Sequence, residues 1–317
     1  GTLNIAILGS DEEFETRTDF MAGVDLAIED LANKGVKVSY TKFSDAENYD
    51  QAVTNAKNVI NDEQYILAIT LQSEEVVDTI SKLFNDANKP LIVANTCEEN
   101  NKSQDYKYIL NGLITGEQAG EALGNYAISN NFNSLAAIHS ASERNVAIVE
   151  GIENSVSKNA NTLLVDAFLP EGDKAFLDVI ERWQILGIDA IVVALEDIDL
   201  ASNFIKLLKE RAPEILVMGD YTFNNQKYLD SYGSYLEGMI LSASYPVDSN
   251  EKLEQFYAQY EPKITYVDIT SITAQAYDFV NMIVEKLDGT SNSEEFINNM
   301  KSSEGYEGIT GVRFDEN

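Results

Sequence analysis

Short apolar runs that alternate with helix-period segments are the dominant feature of this sequence. Eight or nine such runs occur in two similar series, which join near residues 111–114. At the start of the first series, LNIAIL at 3–8 is typical of a buried strand. Apolar residues then recur on one helical face from Phe20, and a second strand run follows at 36–43. This alternation predicts right-handed crossovers and mainly parallel sheets. We therefore expect an α/β fold with two Rossmann-like lobes.

The length of 317 residues also favours two lobes over one. The stretch SYPVDSNEK at 244–252 is predicted to be a connector that returns the chain to the first lobe, which the helix predicted at 272–287 would complete. A multi-crossing hinge is expected at 111–114 and 242–245. The predicted bounds are 1–112 with 245–317 for lobe 1, and 113–244 for lobe 2.

Helical periodicity also predicts which side of each helix is buried. The helix that opens the second lobe begins at Thr115, and its predicted buried face consists of Ala119, Ala122, Leu123 and Tyr126.

No apolar run in the sequence approaches the roughly 18 residues that a membrane helix needs.

The charge balance excludes some partners. The chain has 22 Lys and Arg against 53 Asp and Glu, which gives a formal net charge of −31. Such a surface repels phosphate backbones and anionic lipids, so we expect no nucleic-acid partner. Cys97 is the one cysteine, and this excludes an internal disulfide and any multi-cysteine metal site.

The sequence provides little from which to build a catalytic site. His139 is the sole histidine, and no G-x-S-x-G elbow accompanies it. Neither a P-loop nor a strand-linked G-x-G-x-x-G is present, so a nucleotide cofactor would lack its phosphate cradle. We therefore expect no catalytic residues, no cofactor, no metal ion and no enzymatic activity.

Several segments resemble a known family. IAILG followed by FMAGVDLAIEDLANKG at 20–35 is similar to the first strand and helix of type I periplasmic solute-binding proteins of the leucine/isoleucine/valine-binding group. AITLQSEEVVDTISKLFNDANKPLIVANT at 68–96 resembles the serine-bearing loop, helix and strand of that family. GITGVRFDEN at 308–317 is similar to its C-terminal hairpin. The resemblance covers nearly the whole chain and implies a hinged receptor that binds a small molecule.

Ligands of open α/β sheets bind beyond the carboxyl ends of the strands, where helix N-termini present N–H groups. In lobe 1 this rule and the resemblance together imply contacts from residues that directly follow predicted strands, namely Gln72, Ser73, Asn95, Thr96 and Cys97. Ser73 and Thr96 match the family positions that hold an amino-acid carboxylate. An alternative is that Ser73 only caps its helix.

In lobe 2 the same rule selects Arg144, Asp197, Asp220 and Tyr221. Here the chain departs from the branched-chain receptors, because Arg144 and Asn145 stand where the family has tyrosine and glycine. The acid in MGDYTF at 218–223 also comes one residue earlier than the family's carboxylate that would hold an ammonium group. Arg144 is expected to pair with a ligand carboxylate, and Asp197 or Asp220 to hold a cationic group. Alternatively, Arg144 is a first-turn residue that pairs with Glu143 or neighbouring aspartates.

The resemblance implies an extracytoplasmic, monomeric receptor that passes a small polar ligand, an amino acid or a related carboxylate, to the permease of an ABC importer. Such a protein is periplasmic or lipid-anchored at the outer face of the cytoplasmic membrane, and no export signal is present in this sequence. The alternative is the ligand-sensing ectodomain of a signalling receptor with the same fold.

Overall fold

A computed structural model describes residues 1–95, 106–112, 115–220, 223, 226–242, 250–302 and 308–309. The chain divides into two compact units, which are Gly1–Leu113 with Tyr245–Asn317 (unit 1) and Ile114–Ser244 (unit 2).

Unit 1 contains a five-stranded parallel sheet. Its strands are β1 (Leu3–Gly9), β2 (Val38–Ser44), β3 (Tyr65–Thr70), β4 (Leu91–Val93) and β5 (Ile109–Asn111), in the order β2-β1-β3-β4-β5. Ile7 pairs with Lys42 on one side and with Ile69 on the other. The strand order reverses at β1, so the carboxyl ends of β1 and β3 form a topological switch point, where open α/β sheets bind ligands.

Helices cover the two faces of this sheet. They are α1 (Asp11–Thr16), α2 (Thr18–Asn33), α3 (Tyr49–Asn61), α4 (Glu74–Asp86), α10 (Asn250–Tyr260), α11 (Ser271–Leu287) and α12 (Ser293–Met300). α2 packs closely against α11, since a Cβ at Gly23 would lie 2.1 Å from the Thr273 carbonyl oxygen. Buried apolar residues of both helices, among them Phe20 and Phe279, share one core with the strands.

Unit 2 repeats the arrangement with a second five-stranded parallel sheet. Its strands are β6 (Ser134–His139), β7 (Leu163–Phe168), β8 (Ala190–Ala194), β9 (Leu216–Asp220) and β10 (Ile240–Ser242), in the order β10-β9-β8-β6-β7. The switch point lies between β6 and β8, where Ile138 pairs with Val193.

The helices of unit 2 are α5 (Gly116–Ser129), α6 (Glu143–Val156), α7 (Phe176–Ile185), α8 (Ile198–Arg211) and α9 (Gln226–Leu236). Trp183 of α7 is fully buried beside Phe204, and its indole Nε1 donates to the Asp166 carboxylate at 2.7 Å. Burial of the indole with a hydrogen-bond partner avoids the cost of an unsatisfied donor.

The predicted fold class is confirmed, since the described residues form two parallel five-stranded sheets flanked by helices. The predicted connector at 244–252 is partly wrong, because α10 already begins at Asn250. The predicted buried face of α5 is also partly wrong. Ala122 is exposed, whereas Gly120 and Gly124 are buried, because two glycines let α6 approach more closely than an alanine face would. The predicted C-terminal hairpin lies outside the described residues except for 308–309.

Candidate ligand site

The carboxyl edge of the unit 1 sheet is continued by backbone hydrogen bonds beyond the strands. Leu71 N–H donates to the Leu8 carbonyl and Ala94 N–H to the Thr70 carbonyl, each at 2.9 Å. These bonds fix the loops that follow β3 and β4 at the level of the loop after β1. The polar residues on those loops therefore converge at one end of the sheet.

Gln72 is buried and bonded within this edge. Its Nε2 donates to the buried Asp45 carboxylate at 2.9 Å, and its Oε1 accepts from the Thr70 hydroxyl at 2.8 Å. Asp45 also accepts from the Glu47 N–H at 2.9 Å. The side chain of Gln72 thus ties the loop after β2 to the loop after β3. Its predicted contact with a ligand stays a prediction.

Ser73 stands at the N-cap of α4 in an extended conformation with φ −67° and ψ 161°. Its side chain makes no capping hydrogen bond and is exposed. Ser142 at the N-cap of α6 behaves differently, because its hydroxyl accepts from the Asn145 N–H at 3.2 Å. The Ser73 hydroxyl therefore does not cap its helix, in contrast to the alternative considered from the sequence. It lies at a helix N-terminus, where anions are favoured.

Asn95 follows β4 and joins it to the neighbouring loop. Its Nδ2 donates to the carbonyl oxygens of Leu71 and Gln72 at 3.1 and 3.0 Å. The predicted contacts Thr96 and Cys97, and Tyr221 in the other unit, lie outside the described residues.

Arg17 belongs to the same edge and was missed by sequence reasoning. It joins α1 to α2, and its Nη2 donates to the Ala94 carbonyl at 2.9 Å while the guanidinium lies over the Phe20 ring at 5.4 Å. Its position after the first strand is a weak signal, since Arg17 lies eight residues beyond the end of β1 and follows α1. Burial raises the pKa of nearby Glu13, whereas hydrogen bonds from Ser10 and the charge of Arg17 act in the opposite direction.

In unit 2 the structure brings two predicted site residues, Arg144 and Asp220, into contact with each other. Nε and Nη2 of Arg144 donate to Asp220 Oδ2 at 3.1 and 2.7 Å, and the two side chains are 14% and 6% exposed. The Ser242 hydroxyl donates to the other carboxylate oxygen at 3.4 Å. Arg144 is therefore paired with an acid from a distant strand, whereas the sequence suggested Glu143 or nearby aspartates as the protein partner.

The other polar groups at this edge surround the switch point of unit 2. Asn145 Nδ2 donates to the Ser140 hydroxyl at 2.8 Å. Asp197 is exposed at the N-cap of α8, and its carboxylate accepts from the Leu200 N–H at 3.1 Å. The edge thus offers an acid and hydroxyl groups, as well as the internally paired arginine.

Among the described residues, no helix has both the length and the apolar character needed to cross a bilayer. No group of three or more His, Cys, Asp or Glu side chains arranged to hold a metal ion is found in the same part of the chain.

Comparison with solved structures shows how widely this fold recurs. A putative branched-chain amino acid ABC transporter protein from Rhodospirillum rubrum has a TM-score of 0.83 at 19% identity, covering 99% of this chain and 93% of the other. A substrate-binding protein from Desulfitobacterium hafniense, solved with Leu, has a TM-score of 0.78 at 17% identity and covers 100% and 93%. A solute-binding protein from Rhodopseudomonas palustris HaA2, solved with p-hydroxybenzoic acid, has a TM-score of 0.76 at 16% identity and covers 100% and 89%.

Sequence comparison gives the family. No curated protein matches the chain by sequence. A family model described as a periplasmic binding protein, however, matches residues 12–317. This match includes all the described strands except β1 and supports a general solute-binding role. The chain therefore belongs to the periplasmic binding protein family and has its type I fold.

Proposed function

We propose that this protein is the extracytoplasmic receptor of an ABC importer and that it captures a small carboxylate, either an amino acid or a related acid. Family membership supports the receptor role. The structural relatives support the transporter and the ligand class, since their names describe ABC transporter proteins solved with Leu or with p-hydroxybenzoic acid.

The single observation that carries the choice of a carboxylate is the state of Ser73. Its hydroxyl makes no capping bond and is exposed at the first turn of α4, beside the switch point of unit 1. A carboxylate at this position receives a hydroxyl donor, backbone N–H groups and the favourable end of the helix dipole. Exposed Asp197 in unit 2 provides an acid for the ammonium group of a zwitterion.

The proposed mechanism is capture without chemistry. The ligand binds at the carboxyl ends of the strands of both units, and its higher affinity for the closed form drives closure about the two connecting segments. The closed protein then delivers the ligand to a membrane permease, and one copy of the chain suffices for this. The alternative role as a sensing ectodomain is not favoured, because the structural relatives described above are transporter components.

Thermal-shift measurements with amino acids, small peptides, nucleosides and organic acids test this proposal. A ligand present at about 1,000 times its Kd stabilises the folded state by about 4 kcal/mol, which gives an easily measured rise in Tm. We expect the largest shifts from amino acids or aromatic acids. If nucleosides shift Tm while every carboxylate leaves it unchanged, the proposed ligand class is wrong.

Ser73→Ala is then expected to weaken binding of the best carboxylate by about 2 kcal/mol, roughly 30-fold in Kd, because a hydrogen bond to a charged group is lost. The free energy of unfolding without ligand should change little, since Ser73 makes no capping bond. Isothermal titration calorimetry and urea unfolding measure the two effects.

Asn292→Ala is the matched control at another N-cap. The Asn292 side chain accepts from the Glu295 N–H at 2.9 Å, so its removal should cost about 1 kcal/mol of stability and leave Kd unchanged. A Ser73→Ala variant that keeps its affinity for the carboxylate would show that the Ser73 hydroxyl does not bind the ligand.

A further inference from the structure

Two edge strands of the protein differ in the side chains that they expose. β2 is an edge of the unit 1 sheet, and β7 is an edge of the unit 2 sheet. The exposed residues of β2 are all polar, namely Ser39, Thr41, Lys42 and Ser44. Those of β7 are all apolar, namely Leu163, Val165 and Ala167, and the exposed Leu169 follows directly. Charged side chains, lysine above all, prevent edge strands from pairing with another chain. β2 has such a side chain at an exposed position, whereas β7 has none.

The one charged residue of β7 is bound within unit 2. Asp166 accepts from the Trp183 indole at 2.7 Å and pairs with the Arg182 guanidinium, and its side chain is only 23% exposed. Among the described residues, β7 pairs with β6 alone. The other side of β7 therefore presents backbone N–H and C=O groups that no described strand binds. We refer to this side as the open edge of β7.

The apolar surface continues from β7 onto α7. Ile185 and Leu186 at the end of this helix are 80% and 47% exposed. Together with Asp178, Glu181 and Arg182 they line a groove of about 280 Å³. Arg182 also contacts β7, so the groove adjoins the open edge. A contiguous exposed apolar surface of this kind indicates association with another protein.

The charges that flank β7 favour a second copy of the chain as the partner. Lys158 stands before the strand, and Glu171 and Asp173 stand after it. All three are exposed, and within the described residues no ion pair includes any of them. Antiparallel pairing of two β7 strands places the start of each strand beside the end of the other. Each lysine then approaches the acids of the other copy, and the contact occurs twice about a twofold axis.

The open edge of β7 also lets two acidic molecules approach each other. Each copy carries a formal charge of −31, which opposes association over most of the surface. Residues 161–170, however, contain Asp166 as their one charged residue, and this acid is already paired with Arg182. A twofold axis between antiparallel strands is perpendicular to the sheet, so the α7 helices of both copies lie on the same face. The two α7 grooves therefore border the contact and enlarge its apolar area.

We propose that β7 forms the interface of a homodimer, in which the strands of two copies pair antiparallel and join their unit 2 sheets into one continuous sheet. Such strand addition uses the open backbone groups for affinity and the exposed apolar side chains for packing. This proposal goes beyond the receptor function, since one copy is sufficient to capture a ligand. The monomer that the family resemblance implies is the competing state.

Sedimentation velocity at protein concentrations from micromolar to several hundred micromolar tests the proposal. We expect the wild type to form dimers as its concentration rises. Val165→Lys gives β7 an exposed charge of the kind that β2 has, and it should weaken dimerisation by about tenfold or more. Tyr266→Lys is the matched control, because Tyr266 is a large side chain of unit 1 that is 72% exposed. It adds the same charge and should leave the dimer dissociation constant unchanged.

Lys158→Glu and Glu171→Lys test the antiparallel arrangement without any change in β7 itself. Each variant brings like charges together in its own homodimer, so each should dimerise roughly tenfold more weakly than the wild type. An equimolar mixture of the two variants should recover dimerisation. In the mixed dimer, each contact between positions 158 and 171 again joins an acid and a base.

The outcomes distinguish the dimer from the monomer. A wild type that stays monomeric at every concentration overturns the proposal. A dimer that Val165→Lys leaves intact, or that Tyr266→Lys weakens equally, also overturns it, and so does a mixture that dimerises no better than the single charge variants. Urea unfolding followed by Trp183 fluorescence verifies that each variant is folded. If Val165→Lys does not fold, the charge variants decide, because Lys158 and Glu171 are both exposed.

Discussion

Gly120→Ala is expected to destabilise unit 2 by about 3 kcal/mol or more. A Cβ at Gly120 of α5 would lie 1.9 Å from the carbonyl oxygen of Ile148 and 3.0 Å from the backbone nitrogen of Ile152, both in α6. These are backbone atoms of a packed helix, so no side-chain rotation relieves the clash. Gly151 makes the reciprocal approach, with a Cβ position 2.1 Å from the Glu117 carbonyl oxygen. The two helices must therefore separate.

Gly233→Ala is the matched control for this substitution. Gly233 lies in α9, where an added Cβ would meet nothing within 4 Å. There, alanine should stabilise the protein by about 0.5 to 1 kcal/mol through its higher helix propensity. If Gly120→Ala lowers the free energy of unfolding while Gly233→Ala raises it, the loss at Gly120 comes from close helix packing.

Urea unfolding followed by tryptophan fluorescence measures both variants within unit 2. Trp183 is the single tryptophan of the chain, and it is fully buried in the core of this unit. A loss of less than about 0.5 kcal/mol for Gly120→Ala would show that α5 and α6 have room to adjust.

The strands were predictable from the sequence because buried parallel strands are short, continuous apolar runs. The run predicted at 3–8 ends one residue before β1 does, and the run predicted at 36–43 begins two residues before β2 and ends one residue before it. The helix faces were less predictable. Apolar periodicity identifies side chains that pack, but at Gly120 and Gly124 the buried surface is backbone, and glycine carries no apolar signal.

The candidate site was predictable only as positions along the chain. The rule that ligands bind beyond strand ends selected Ser73, Arg144 and Asp220, and all three lie at carboxyl edges of the sheets. The same rule does not indicate which polar groups bind each other. Arg144 and Asp220 are 76 residues apart, and their contact depends on the order of β6, β8 and β9 in the sheet. Arg17 was missed because it stands eight residues after the end of β1, whereas the rule selects residues that directly follow a strand.

Breaking the Arg144–Asp220 pair by removing the arginine is expected to cost about 3 kcal/mol. Arg144→Met leaves a carboxylate that is 6% exposed without its guanidinium, and Asp220→Asn leaves a guanidinium that is 14% exposed without its carboxylate. A buried charge that loses its partner carries most of its desolvation cost uncompensated. The double variant removes both charges, so it should cost clearly less than the sum of the two single variants.

Urea unfolding of the wild type, both single variants and the double variant gives the coupling free energy, which we expect to be about 2 kcal/mol or more. The exposed pair of Lys82 and Asp86, whose side chains are 64% and 58% exposed, is the control, and little coupling is expected there.

The wild type, the two single variants and the double variant also test whether Arg144 contacts the ligand. If Arg144 acts only within the protein, the folded Arg144→Met/Asp220→Asn variant keeps its affinity for the carboxylate, because neither removed side chain then contacts the ligand. A large loss of affinity in that variant, with stability restored, would instead assign the ligand carboxylate to Arg144, as the sequence alone predicted.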